Sequence, residues 1–204
     1  MSSGRNARLL AVAIALVAAV ALAACENEGR GGGDDGSDGN AAATLQEALQ
    51  AHADGDLQRA EELYRETLNQ DPDNEFAHYN LGAIAQERGD LDEAVERYDL
   101  ALETDPEFVP ALFNLAIVLT EQGETRDATQ LYKDVIALEP ENAAAHLNLG
   151  FLLIERGRED RGRHELEEAV RLDPSLADRI TEETTGGGEP VAAVTGATGA
   201  SGES

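Results

Sequence analysis

Tryptophan is absent from this 204-residue chain, and cysteine, methionine and lysine occur once each. A single cysteine, Cys25, excludes an intramolecular disulfide framework. Basic residues are scarce. Lys+Arg number 15 against 41 Asp+Glu, a formal net charge of −26. A nucleic-acid partner is therefore not expected, because that affinity rests on basic side chains neutralising phosphates. The acidity itself has two open explanations. One is attraction of basic partners; the other is a salt-rich habitat or a GC-rich genome. Nucleophiles are scarce too. Between residues 41 and 176 there is no cysteine, and the one serine is Ser175, so Ser or Cys catalysis has almost no candidate. The histidines, His52, His78, His146 and His164, form no pair with the H-E-x-x-H spacing of a zinc helix. The expectation is a non-catalytic protein with no cofactor and no metal.

Long apolar runs are limited to one. Leu9 to Ala24 is a 16-residue stretch, mostly Ala, Val and Leu, preceded by Arg5 and Arg8. A membrane-spanning helix needs about 20 such residues. A basic start, a short apolar core and a small-residue end read as a signal peptide over residues 1–24. The run closes Leu22-Ala23-Ala24-Cys25, which resembles the lipobox of bacterial lipoproteins. The resemblance implies lipidation of Cys25, cleavage before it, and a location outside the bacterial cytoplasm on a membrane. Ala21-Leu22-Ala23 also fits ordinary secretory cleavage, which would release a soluble protein. Residues 25–40, rich in Gly, Asp and Asn, read as a flexible linker.

What the chain does have is a period. Gly55, Gly89, Gly123 and Gly157 stand 34 residues apart, as do Pro72, Pro106, Pro140 and Pro174. Four units follow, 41–74, 75–108, 109–142 and 143–176. Within 75–108, Phe76, Tyr79, Ala83 and Ile84 recur at helical spacing before the glycine, and Leu91, Ala94, Val95, Tyr98, Ala101 and Leu102 after it. Glycine closes a helix by adopting the left-handed conformation, and proline ends the next one. Each unit is thus expected to be an antiparallel helix pair.

Period and pattern resemble the tetratricopeptide repeat. The signature positions are Leu81-Gly82, Leu115-Ala116 and Leu149-Gly150 in the first helices. In the second helices they are Ala60, Ala94 and Ala128, with Tyr64, Tyr98 and Tyr132 four residues on. The fourth unit departs, with Gly162 and Leu166 at those places. An interior glycine lowers helix propensity by about 1 kcal/mol, so the last helix is expected to be the weakest. The resemblance implies an all-α, right-handed α-solenoid whose first helices line a concave protein-binding groove. Carried over by position, that groove holds Tyr79, Asn80, Glu87, Phe113, Asn114, Ile117, Glu121, Leu147, Asn148 and Phe151. Asn80, Asn114 and Asn148 form a ladder. Their amides suit a peptide backbone; equally, Asn is common there in the family whatever the ligand.

The groove lacks Lys and Arg, so an apolar or basic segment of another protein is the expected occupant. His78 and His146 share one repeat position and read as structural. Arg156, Arg158, Arg161 and Arg163 read either as a small basic site or as partners of Glu155, Glu159 and Glu165. Residues 177–185 are expected to form a short capping helix and 186–204 a low-complexity, disordered tail. Leu166, Ala169 and Val170 are candidates for an exposed apolar face supporting weak self-association. Together these readings point to a lipid-anchored adaptor or assembly factor of the cell envelope. The alternatives are a soluble, secreted, chaperone-like binder and a self-assembling structural solenoid.

Overall fold

The structure, a computed structural model, describes residues 38–180. The expected signal peptide, Cys25, most of the expected linker and the expected tail, 186–204, lie outside the described residues. The described chain is all-α. Its helices are α1 (Asp38–Ala53), α2 (Leu57–Gln70), α3 (Glu75–Arg88), α4 (Leu91–Thr104), α5 (Val109–Glu121), α6 (Thr125–Leu138), α7 (Ala143–Glu155) and α8 (Glu159–Leu172). A 3-10 turn, Pro174–Leu176, follows. They form two compact units, residues 38–104 and 105–180, each holding two helix pairs. Helix α1 begins at Asp38, inside the stretch 25–40 read as linker. The buried Thr44 hydroxyl donates to the Asn40 carbonyl at 3.0 Å, one turn back in this first stretch of helix.

Local chemistry explains many of these helix boundaries. The four periodic glycines have φ between 71° and 82°, a region other residues enter only with strain. After each, the next amide reaches back to a carbonyl five residues earlier: Asp56 to Ala51, Asp90 to Ala85, Glu124 to Leu119 and Arg158 to Leu153, at 2.8–2.9 Å. This closure satisfies carbonyls the helix end leaves open. Helices α2, α3 and α7 are capped by Asp56, Asn74 and Asn142, whose side chains accept from the amides of Arg59, Ala77 and Ala145. Helix α5 has no such cap at Phe108 and carries Pro110 in its first turn instead.

In the first unit α2 packs between α1 and α3, and α3 on α4. Its core contains Leu45, Ala48, Leu63, Tyr64, Leu81 and Ile84. In the second unit α6 packs on α5 and α7, and α7 on α8. The signature positions are interior. Ala60, Ala94 and Ala128, and Tyr64, Tyr98 and Tyr132, are all fully buried. Gly82 is small for a reason: a Cβ there would stand 2.7 Å from the Tyr98 ring.

The fourth pair corrects one expectation. Gly162 is not a soft spot but a close crossing of α7 and α8. A Cβ on it would meet the Gly150 carbonyl oxygen and Ile154 Cγ1, each at 2.6 Å. A Cβ on Gly150 would meet Leu166 at 2.7 Å. The second correction concerns the apolar face expected at the last helix. Leu166 and Ala169 are buried, and Val170 packs in the same cluster with Leu176 and Ile180. The 3-10 turn and the helical residues 177–180 therefore supply the cap; residues 181–185 lie outside the described residues.

Candidate functional site

The candidate site is the face of the first helices, taken unit by unit. In the first unit Tyr79 is buried against Tyr98, ring centres 5.8 Å apart. Asn80 is 2 % exposed. Its Nδ2 donates to the Phe76 carbonyl at 2.7 Å, and its Oδ1 is buried without a hydrogen-bond partner. Ala83, Gln86 and Glu87 form the half-buried strip beside it. Burial pushes the Glu87 carboxyl above its usual range, against the opposing pull of Arg88. The Arg88 guanidinium bonds Glu61 on α2, which holds the Glu61 carboxyl low.

In the second unit Phe113 is buried edge-on against Tyr132, ring centres 5.9 Å apart. Asn114 is partly exposed, Ile117 and Leu147 are buried, and so are Asn148 and Phe151. Glu121 ends α5 and Glu155 ends α7, both exposed. Desolvation raises the Glu121 carboxyl. The buried Tyr132 phenol sits beside the Thr120 and Asn148 side chains, and burial raises it as well.

The expected groove is thereby corrected. Tyr79, Asn80, Phe113, Ile117, Leu147, Asn148 and Phe151 are core side chains; Glu87, Asn114 and Glu121 remain accessible. The reason is that a first helix is packed on more than one side. Helix α3 buries residues 77–82, 84 and 85, whereas α4 buries only Ala94, Tyr98 and Ala101.

Sequence reasoning missed the polar partners of the buried tyrosines. Tyr64 hydroxyl meets His52 Nδ1 at 3.2 Å, and Tyr98 donates to Gln86 Oε1 at 2.8 Å. Each of these partners lies 12 residues before its tyrosine. Thr120 holds that place before Tyr132, but its hydroxyl donates to the Ala116 carbonyl at 2.7 Å and the Tyr132 hydroxyl is buried without a hydrogen-bond partner. In the fourth pair both change together, to Ile154 and Leu166. His78 and His146 face the carbonyls of Pro72 and Pro140 at 3.0 and 3.1 Å, and His146 Nδ1 also meets Glu165 at 2.8 Å. Of the arginines, Arg163 pairs with Glu159, while Arg156 reaches Thr129 Oγ1 at 2.9 Å and the Thr125 carbonyl. Among the described residues no group of three His, Cys, Asp or Glu could hold a metal ion, and no helix is long and apolar enough to cross a membrane.

Two family models match. One is described as the middle TPR-like domain of cilia and flagella-associated protein 70, over residues 44–136, and the other as the tetratricopeptide repeat, over residues 119–179. No curated protein matches. Among solved structures, PilF of Pseudomonas aeruginosa is 26% identical, with TM-score 0.62 over 74% of this chain and 72% of that one. A crystal structure of MamA is 18% identical, with TM-score 0.62 over 81% and 89%. A second MamA structure, AMB-1, is 23% identical, with TM-score 0.58 over 67% and 81%. The MamA likeness is one of fold alone. With the 34-residue period, the left-handed glycines and the buried Ala and Tyr positions, these matches make the chain a tetratricopeptide-repeat protein.

Proposed function

We propose that this protein is a non-catalytic scaffold that binds a segment of another protein along its first helices. In this reading it is anchored through a lipid on Cys25 to a bacterial membrane, outside the cytoplasm, and serves as an adaptor or assembly factor in the envelope. The observation that carries the binding role is an open strip on the first helices of each unit, taken separately. On α3 of the first unit Ala83, Gln86 and Glu87 stay partly accessible, and on α5 of the second unit Asn114 and Thr120 do, whereas residues 77–82, 84 and 85 of α3 and 111–113 and 115–118 of α5 are core. The Leu22–Cys25 sequence supports the anchor.

A photo-crosslinking residue tests the binding face. Placed at Ala83 or Asn114 it captures a partner; placed at Glu66 or Lys133, exposed on second helices, it does not. Equal capture from all four positions rejects the face. Mass spectrometry of the mature N-terminus tests the anchor, with a diacylglyceryl Cys25 expected. An unmodified start at Ala24 replaces the anchored form with a soluble secreted one.

A further inference from the structure

The place 12 residues before Tyr64 and its repeat equivalents is held by His52, Gln86, Thr120 and Ile154. Of these four, His52 alone can gain a proton near neutral pH. It is 3 % exposed, and its Nδ1 stands 3.2 Å from the hydroxyl of the fully buried Tyr64. In a neutral ring Nδ1 can accept from the phenol. Protonation turns Nδ1 into a donor. The phenol hydrogen then loses that acceptor, and a charge is added beside the cluster of Leu45, Ala48, Leu63 and Tyr64. The charged groups around it are engaged elsewhere. Asp54 accepts from Gln50 Nε2, and Asp56 accepts from the Arg59 amide to cap α2. On α2, Glu61, one turn before Tyr64, is bound by Arg65 and Arg88. From α3 the titratable group is Tyr79, which adds to burial in holding the Tyr64 phenol above its usual range.

Position decides which element responds. Helix α1 ends the unit and packs chiefly on α2, whereas α2 is held by α3 as well. The α2–α3 contact also has its own tie, Arg88 to Glu61. His52 lies in the last turn of α1. We propose that His52 is an acid-sensitive latch of the first helix pair: on gaining a proton it releases α1 from α2 and uncovers Leu63 and Tyr64, while α2, α3 and α4 stay packed. The direction follows from linkage. Burial holds the packed imidazole below its usual value, so released α1 takes up the proton more readily. The latch is closed above about pH 6.5, the unfolded value, and opens as pH falls below it.

The test is amide hydrogen exchange of the full chain at pH 8 and pH 5, read by NMR and corrected for intrinsic rates. It compares the unaltered protein with His52→Gln and with His164→Gln, whose histidine is exposed. Opening of the α1 amides is expected to rise several-fold on acidification. About thirtyfold is the ceiling for one proton taken up by a group with an unfolded value of about 6.5. The amides of α3 and α4 should not follow. His52→Gln should remove the rise, and His164→Gln should keep it. Glutamine already serves Tyr98 at Gln86, so the His52→Gln chain is expected to fold. Should it lose protection at pH 8 as well, the unaltered chain decides: a His52 ring that titrates together with α1 opening upholds the latch, and one that titrates with α1 opening unchanged overturns it. An equal rise in His52→Gln overturns it in favour of other acid-sensitive groups. An equal rise across α1, α3 and α4 overturns it in favour of unfolding of the whole unit.

Discussion

Gly162 sets two rules of residue chemistry against each other. Replacing an interior helical glycine by alanine should stabilise by about 1 kcal/mol from propensity. Here the new Cβ would stand 2.6 Å from the Gly150 carbonyl oxygen. A backbone oxygen cannot swing aside as a side chain does, and overpacking of this kind costs about 1–3 kcal/mol. Gly162→Ala should therefore lower the urea midpoint, and a rise would show that α7 and α8 separate freely. His52 gives a second residue-scale prediction. Burial beside Tyr64 holds its imidazole below the usual value, so the unfolded chain takes up the proton first. Its contribution is intact above about pH 6.5, the unfolded value, and is lost as pH falls below it. His52→Gln keeps a polar partner for Tyr64, as Gln86 does for Tyr98. A urea midpoint followed from pH 8 to 5 should decline less in this variant; an identical decline removes His52 as the cause.

At the scale of the element, the turn glycines separate strain from space. Nothing lies within 4 Å of a Cβ on Gly89, yet its φ is 81°. Gly89→Ala should thus destabilise by about 1–2 kcal/mol through left-handed strain alone. Gly89→Asn should lose less, since asparagine tolerates that region. Equal losses from the two would point to something other than backbone conformation. Helix pairs of this kind were legible in the sequence because their causes are local: a cap, a left-handed glycine, a proline. Their faces were not. Helix α7 buries residues 144–153 without a break, so apolar spacing carries no mark of which edge stays open. The start of α1 at Asp38 was missed for a related reason. The pull on that turn comes from buried Ala41 and Thr44, not from the Gly-rich composition before it.

Across the whole molecule the charge imbalance dominates. Ion pairs such as Arg59–Glu62, Arg163–Glu159 and Arg171–Glu168 are exposed, and such pairs contribute roughly 0–1 kcal/mol each. They leave a net charge of −26, whose self-repulsion opposes the folded state. Salt shortens the range of that repulsion from about 10 Å at 0.1 M to about 3 Å at 1 M. Raising sodium chloride over this range should increase the urea midpoint. An unchanged or lower midpoint would mean that the acidic excess acts on partners or solubility and not on folding.

The sequence by itself determined the repeat length, the four helix pairs of the described residues, their turns and the closing prolines, since each depends on residues within one or two turns. Tertiary structure alone decided three things: that Gly162 is a crossing point, that tyrosines 64 and 98 find their partners 12 residues back, and that seven of ten expected groove residues are core. Each depends on how closely neighbouring helices approach. That distance is set by side chains on both helices together, and no periodicity within either one records it.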